Sequence, residues 1–499
     1  MSTNSFLSRI LRKKNLDEII ETSKKSSLKK TLNAFDLTVL GIGAIIGAGI
    51  FTLSGTAAAG SAHHVGAGPG LMLSFIFAGF ACALAALCYA EFAAMIPVAG
   101  SAYTYTFATL GELAAWLIGW ILMLEYAIGN ITVACGWSGY LFKLLEGFKG
   151  QLPDFITNQA YWIHHYRMFG HIPLDLNIPA LFIIAAVTAL LYKGVQESTR
   201  MAAIMVIIKL AVILLFIFVG AHYVQPSNWT PFLPNGFKGV FVGAFLVFFA
   251  YIGFDAVSTA AEETKNPQKD LPIGIIASLI ICTIIYIIVA GILTGIVPWN
   301  QIDTAAPVAA AMRSIHQNWT AGLIAVGAVA GLSSVLLVLQ LGTTRILFAM
   351  SRDKLLPSVF SKIHPKFRTP HVITLISGIF VAIGTVFLDL NAAAELCNIG
   401  TLSAFLIVCL GVLILRKTDP TRERPFKVPF SPYLPVLGII VCLALIVLGV
   451  PQRTLILFSI WLIAGLVIYF SYGFKRTSEV DAIETSIEEI PAAKSLVVE

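Results

Sequence analysis

The sequence predicts an all-α polytopic membrane protein of 12 transmembrane helices whose first and sixth are broken. Three observations predict it. Of its 499 residues, 57% are hydrophobic and only 12% are charged, about half the charged share (about 25%) of a soluble protein. The apolar residues gather into twelve runs long enough to cross a bilayer, which takes about 20 residues per helix. Two of those runs, five apart, carry glycines where a continuous helix would avoid them.

In chain order, residues 1–34 form a basic N-terminus. Phe6, Leu7, Ile10, Leu11, Leu16, Ile19 and Ile20 recur at helical spacing among Arg9, Arg12, Lys13 and Lys14. That pattern fits an amphipathic helix on the inner membrane surface; a disordered basic arm is the other reading. The first apolar run is too long and too uncharged for a signal-peptide core, so no cleavable leader is expected. The runs lie near 37–60, 69–95, 113–141, 178–193, 202–222, 238–262, 272–297, 320–349, 372–388, 393–415, 434–449 and 454–473. With the N-terminus inside, about 26 of the 33 Lys and Arg residues fall on the inner side and about 6 outside. Positive residues favour the cytoplasm, so both termini are expected there, in a multi-pass protein of the cell membrane. The 144–177 stretch is the longest outer loop and is expected to hold a short surface helix. His63, His64, His164, His165 and His171 fall in outer loops, where they read as solvated or interfacial. The acidic tail from 474 to 499 reads as disordered. Seven cysteines, all in apolar runs and without a CxxC pair, indicate neither a disulfide framework nor a metal site. A net charge of +6 gives no argument for nucleic acid.

The first run contains Gly41, Gly43, Gly47 and Gly49. Each interior glycine costs a helix roughly 0.5–1 kcal/mol relative to alanine, and backbone opened within a bilayer must bond to protein or face a water-filled cavity. Tight helix packing is the alternative reading of such glycines. The sixth run repeats the interruption at Gly253, with Asp255 two positions on. Interrupted helices at matching positions of two halves point to a transporter site between inverted repeats. The outer half of the first helix, starting at Ala48, Gly49 and Ile50, would offer N–H groups and a positive dipole end to an anion. The carbonyls of Ile45 and Ile46, and of Phe249, Ala250 and Ile252, would face the other way as acceptors. An α-amino acid zwitterion fits such a pair without any charged side chain. Gly43, Gly47, Gly49 and Gly253 are then the helix-break glycines.

These residues resemble a known family. Gly41–Phe51, Tyr89-Ala90-Glu91 leading to 97–105, and Gly253-Phe254-Asp255 through Pro267 are similar to the amino acid–polyamine–organocation transporters, most closely the cationic amino-acid transporter branch and its bacterial members. The resemblance covers about residues 30–475. It implies the LeuT-type fold: a first inverted repeat over 35–222, a second over 237–415, and two extra helices over 434–473. It also implies proton-coupled uptake or exchange of amino acids.

Lys209 is the one basic residue expected within a span, at a cost of roughly 2.5–3.5 kcal/mol by insertion scales. Snorkelling to the inner surface is one reading. The resemblance implies another, in which Lys209 bonds the broken backbone near Gly43 and loses its proton during transport. Glu125, alone in mid-span three, is either a neutral structural residue or, as the resemblance implies, tied to substrate binding and proton coupling. Asp255 reads as an N-cap, and Glu91 as a gate or loop anchor. Arg345 and Arg352 are expected to pair with the inner-side carboxylates. The segment 97–111 is expected to form a short helix and loop at the inner gate. In the implied fold, Leu336 and Leu339 of span eight wall the side-chain pocket.

The expected function is therefore a proton-coupled symporter of L-amino acids, small neutral or cationic, working by alternating access. An exchanger, amino acid against amino acid or against polyamine, is the alternative. No GxxxxGK[ST] motif suggests ATP drive. The single ionisable groups of the spans do not make the nucleophile–base set of an enzyme. The expected coupling ion is the proton, with no cofactor. Expected partners are an L-amino acid and membrane lipids, with a small single-span membrane subunit left open.

Overall fold

The structure is a computed structural model describing residues 10–14, 30–61, 64–98, 101–149, 151–168, 172–194 and 199–476. Most of the predicted N-terminal helix, His63, His171 and the acidic tail after 476 lie outside those residues.

Among the described residues, eight helices are long and apolar enough to cross a membrane. A further pair, α1 (Ala34–Ile45) and α2 (Gly49–Ala59), meets that test only jointly, bent by 42° at the break. Three shorter apolar helices complete the set: α6 (Ile178–Tyr192), α11 (His371–Phe387) and α13 (Tyr433–Gly449). The chain is thus a mostly helical, multi-pass integral membrane protein.

Local chemistry sets where helices start. Asn33 caps α1 by accepting from the N–H groups of Phe35 (2.8 Å) and Asp36 (3.1 Å), while the Asp36 carboxylate accepts from the Asn33 N–H (3.0 Å). This reciprocal capping box satisfies N–H groups that otherwise lack partners. Asp389 does the same work for α12 (Leu390–Thr418) through the Ala392 N–H at 2.7 Å. Pro267 opens α9 (Pro267–Ile296), where its missing N–H costs nothing.

Two packed groups emerge. In one, α1 lies against α9, which also packs on α3 (Leu71–Met95); α8 (Gly236–Val247) joins through α3. In the other, α5 (Glu112–Glu146) packs against α10 (Asn318–Arg352) and α12, and α6 packs against α11. Helix α7 (Thr199–Ala221) bridges the groups by touching both α1 and α10. The helix α4 (Ser101–Thr109) occupies the expected helix-and-loop segment.

Three expectations are corrected. The fold is not purely α: Ile163–Met168 (β1) and Ile172–Asn177 (β2) form an antiparallel hairpin, beside a short helix Asp154–Thr157. The alternation of Ile172, Leu174 and Leu176 is the period of a strand, overlooked beside the long apolar runs. His64 is not solvated. Its Nε2 lies 2.6 Å from Glu395 Oε1, and the other Glu395 oxygen accepts from the Thr454 hydroxyl at 2.5 Å. Finally, Glu91 pairs with Arg416 and Arg424, not with Arg345 or Arg352. Arg416 donates to both Glu91 oxygens, at 3.0 and 2.5 Å, and the Val428 N–H adds a third bond at 2.7 Å. Glu91 therefore anchors the end of α3 to the segment after α12, a burial that only such complete pairing makes tolerable.

Candidate functional site: two broken helices back to back

The two interruptions meet. Ile46 leaves helical geometry at φ −72°, ψ 104°, ending α1 before Gly47. In the sixth run, α8 gives way at Phe248 to a 3₁₀ turn. Ile252 is extended (ψ 132°), Gly253 is left-handed (φ +117°), and a 3₁₀ helix Phe254–Glu263 follows. A Cβ on Gly49 would sit 2.2 Å from Ala250 Cα, and one on Gly253 would sit 2.8 Å from the Ala44 carbonyl oxygen. Backbone thus rests on backbone, and only glycine permits it at both contacts. Gly253 also needs its positive φ, which costs any residue with a Cβ about 1–2 kcal/mol.

A third helix ties the breaks together. Tyr286 of α9 is fully buried, and its hydroxyl lies 3.0 Å from both the Ile45 and the Ala250 carbonyls. One phenol thus joins the end of α1 to the turn after α8. The Lys209 ammonium donates to the Gly43 carbonyl at 2.9 Å and is 1% exposed. A Cβ on Gly331 would come within 2.8 Å of the Lys209 stem, so that glycine makes room for the lysine. The snorkelling reading does not describe this side chain.

A cavity of about 40 Å³ opens beside the breaks. Gly43 through Ile45, Gly47 through Gly49, and Phe249, Ile252 and Gly253 form its backbone side. Tyr126, Gly129 and Val133 of α5, Val335 and Leu339 of α10, and Cys397 of α12 form its opposite wall. No charged side chain lines it. By helix geometry the opening N–H groups of α2 have no preceding turn to bond; Phe51 alone reaches back, to the Gly47 carbonyl at 3.3 Å.

Of the residues expected to touch a substrate, Ile45, Ala48, Gly49, Phe249, Ile252 and Leu339 line this cavity, while Ile50, Ala250 and Glu125 do not. Ala250 is pressed on Gly49, and its carbonyl is engaged by Tyr286. The Ile50 carbonyl accepts from the Ser54 hydroxyl at 2.7 Å within α2. Glu125 stands one residue behind the lining Tyr126. It is 1% exposed, and its Oε2 has no hydrogen-bond partner. Asp255 is equally buried, accepts from the Tyr126 hydroxyl at 3.1 Å, and faces the N–H groups of Gly253 and Ala256. Tyr126 thus connects the cavity wall, by its ring, to Asp255, by its hydroxyl. The Tyr89 hydroxyl, near the same two carboxyls, is also buried without a partner. Among the described residues, no three side chains come together as a metal site.

Known proteins resemble this chain over nearly its whole length. The amino acid permease family matches residues 32–471. The chain belongs to that family. The permease is 51% identical over 471 residues to the branched-chain amino acid permease BcaP of Bacillus subtilis (strain 168), covering 94% of this chain and 98% of the relative. It is 47% identical over 471 residues to the methylthioribose transporter of the same organism, again 94% of this chain and 99% of the other. Cationic amino acid transporter 9, chloroplastic, of Arabidopsis thaliana shares 39% over 404 residues, 80% of this chain and 69% of the plant protein. The family is one of amino acid transport, within the amino acid–polyamine–organocation superfamily, and its members bear the names of permeases and transporters rather than enzymes.

Sequence reasoning overlooked Tyr286, Tyr126, Cys397 and Gly331 of this permease. For Tyr286 a signal existed: it is the lone phenol in Ile284-Ile285-Tyr286-Ile287-Ile288, and a buried Tyr hydroxyl usually has a partner. For Cys397 and Gly331 nothing local separates them from packing residues.

Proposed function

We propose that this permease carries an apolar L-amino acid of about branched-chain size into the cell together with a proton, by alternating access. The observation that carries the reading is the back-to-back contact of the two breaks at Gly49 and Ala250. It sets the open N–H groups of α2 and the carbonyls around Ile252 on either side of one small cavity. The substrate carboxylate takes the former and its ammonium the latter. The side chain points to Val133, Val335 and Leu339. That wall lacks a carboxylate, so a cationic side chain would be desolvated there without a counter-charge. The name of the Bacillus branched-chain permease agrees with this preference.

In this reading the bent pair, the eight long helices and the three shorter ones make twelve spans, arranged as LeuT-type inverted repeats with two helices appended. Both termini face the cytoplasm, as the Lys and Arg distribution favours. The cavity of about 40 Å³ has room for roughly three waters at 10–15 Å³ each. Its walls therefore part to admit a side chain.

Proton coupling falls to Glu125 and Lys209. A bare carboxylate is costly at membrane depth, so the Glu125 Oε2 without a hydrogen-bond partner favours a proton as its companion. Lys209 donates a hydrogen bond to the Gly43 carbonyl of α1, and giving up its proton weakens that hold on the break. The proton is the only coupling ion required.

Uptake of radiolabelled leucine, isoleucine, valine, alanine, lysine and arginine into proteoliposomes, with and without an inward proton gradient, tests the proposal. Accumulation of the branched-chain substrates only under the gradient is expected. Equal uptake of arginine would overturn the side-chain reading. Counterflow that ignores pH would make the protein an exchanger. Accumulation of methylthioribose alone would move the substrate class altogether.

A further inference from the structure

A second cavity lies away from the breaks. It is a groove of about 480 Å³ between α6 and α11, floored by Ile184, Thr188, Gly378 and Ala382. A Cβ on Gly378 would stand 2.4 Å from the Thr188 hydroxyl, so the two helices touch there. That hydroxyl bonds its own helix at the Ile184 carbonyl, 2.7 Å away, which leaves the groove apolar along its length. Among the residues that line it, the apolar Leu375 is 43% exposed and Ile379 59%. On a membrane protein such a surface faces acyl chains.

One end of the groove is different in kind. Tyr192 and Lys193 close it. The Tyr192 ring meets the rings of His364 and Phe367 at 5.6 and 5.9 Å, and the Thr369 hydroxyl donates to the Tyr192 carbonyl at 2.8 Å. The Lys366 ammonium sits 5.6 Å over the Phe367 ring. Lys193 directly follows Tyr192 and Lys366 lies over Phe367, so both lysines belong to stretches that build one aromatic cluster at the mouth. The two stretches that build the mouth, 178–194 and 354–371, contain Lys193, Lys354, Lys362, Lys366 and Arg368 but no Asp or Glu. In the orientation proposed above, this end lies at the cytoplasmic leaflet, where anionic lipids collect.

We propose that this groove binds an anionic phospholipid, one acyl chain lying between α6 and α11 and the phosphodiester held by Lys193 and Lys366. The site rests on the membrane orientation of the preceding section but not on its transport mechanism. A neutral lipid would satisfy the apolar groove and leave the basic mouth without a counter-charge; a second copy of the chain would bring apolar side chains and no phosphate.

Native mass spectrometry of the detergent-purified full chain, titrated with phosphatidylglycerol or with phosphatidylcholine of identical chains, tests this directly. One retained phosphatidylglycerol is expected, bound about tenfold more tightly than phosphatidylcholine. Lys193→Gln is expected to cut that preference about fivefold, the equivalent of about 1 kcal/mol per basic residue at an anionic surface. Ala189→Phe, which fills the groove from α6, is expected to lower retention of both lipids, and Ala382→Phe does the same from α11 if the first variant folds poorly. Equal retention of the two lipids, or a preference indifferent to Lys193→Gln with Lys366→Gln, would overturn the proposal. So would a dimer without bound lipid that Ala189→Phe dissociates. Transport assays play no part in this readout, so loss of the symport reading would leave it standing.

Discussion

The two breaks look alike in the sequence and are built differently. In the first, Gly43, Gly47 and Gly49 all keep ordinary φ values, since none is among the glycines of positive φ. They are small because something presses on them: Val206 on Gly43, Val335 on Gly47, the Ala250 backbone on Gly49. In the second, Gly253 turns the chain at φ +117° and also meets the Ala44 carbonyl. The first break is therefore a matter of clearance, graded by what lies opposite. The second is a matter of backbone conformation. An added methyl meets a movable side chain at Gly47 and an immovable one-way turn at Gly253.

That difference is testable in order of effect. Gly253→Ala is expected to reduce uptake at least 100-fold, because about 1–2 kcal/mol of backbone strain adds to a collision with main chain. Gly47→Ala, whose nearest neighbour is Val335 Cγ2 at 3.3 Å, is expected to lose less than about threefold, since a valine can shift where backbone cannot. Comparable losses in the two variants, measured as initial rates at equal protein in the vesicles, would erase the distinction. Next comes the clip that joins the breaks. Tyr286→Phe leaves two buried carbonyls sharing no donor, worth about 1–3 kcal/mol, so a drop of roughly tenfold in substrate affinity is expected with folding retained. An unaltered affinity would mean that the breaks hold their spacing without it.

Lys209→Ala bears on the first break alone. Uptake in this variant is expected to lose its pH dependence while the protein still inserts. A pH profile superimposable on the wild type would remove Lys209 from coupling. The smallest effect belongs to the loop that covers the end of α2, where a Cβ on Gly55 would meet the Asp303 carbonyl oxygen at 2.3 Å. Partial burial works to raise the Asp303 carboxyl; the Ala306 and Ala305 N–H groups and the Lys143 ammonium outweigh it and hold the carboxyl below its ordinary range. A depressed folded-state value contributes stability that is fully present above the unfolded value near pH 4 and is lost only as pH falls through the lower folded value. Asp303→Asn is therefore expected to lower the melting temperature by a similar few degrees at pH 5 and pH 8. A deficit confined to one of these would contradict the assignment.

Much of this was legible along the chain because a bilayer asks for simple patterns. Spans announce themselves by length and lack of charge, and glycine in a long apolar run is conspicuous. The His64–Glu395 pair was not legible, since its members lie 331 positions apart and each reads locally as a polar residue near the end of an apolar run. The arginine partners of the Glu91 anchor were not legible for the same reason. Several arginines of the same face competed as partners, and only the path of the segment after α12 selects Arg416 and Arg424. Tyr286 reaches Ile45 and Ala250 across 241 and 36 positions, a convergence that no helical or strand periodicity encodes.

The amino-acid order alone determined that this is a multi-pass membrane protein, where its helices run, and that two of them are interrupted, because hydrophobic length and backbone propensity act over neighbouring residues. The tertiary structure decided what the interruptions touch: Gly49 on Ala250, Gly253 on Ala44, one tyrosine shared between them, and Glu125 set one residue behind the cavity wall. Those contacts depend on how separate helices are packed at sub-ångström clearances, and that is a property of the assembled bundle.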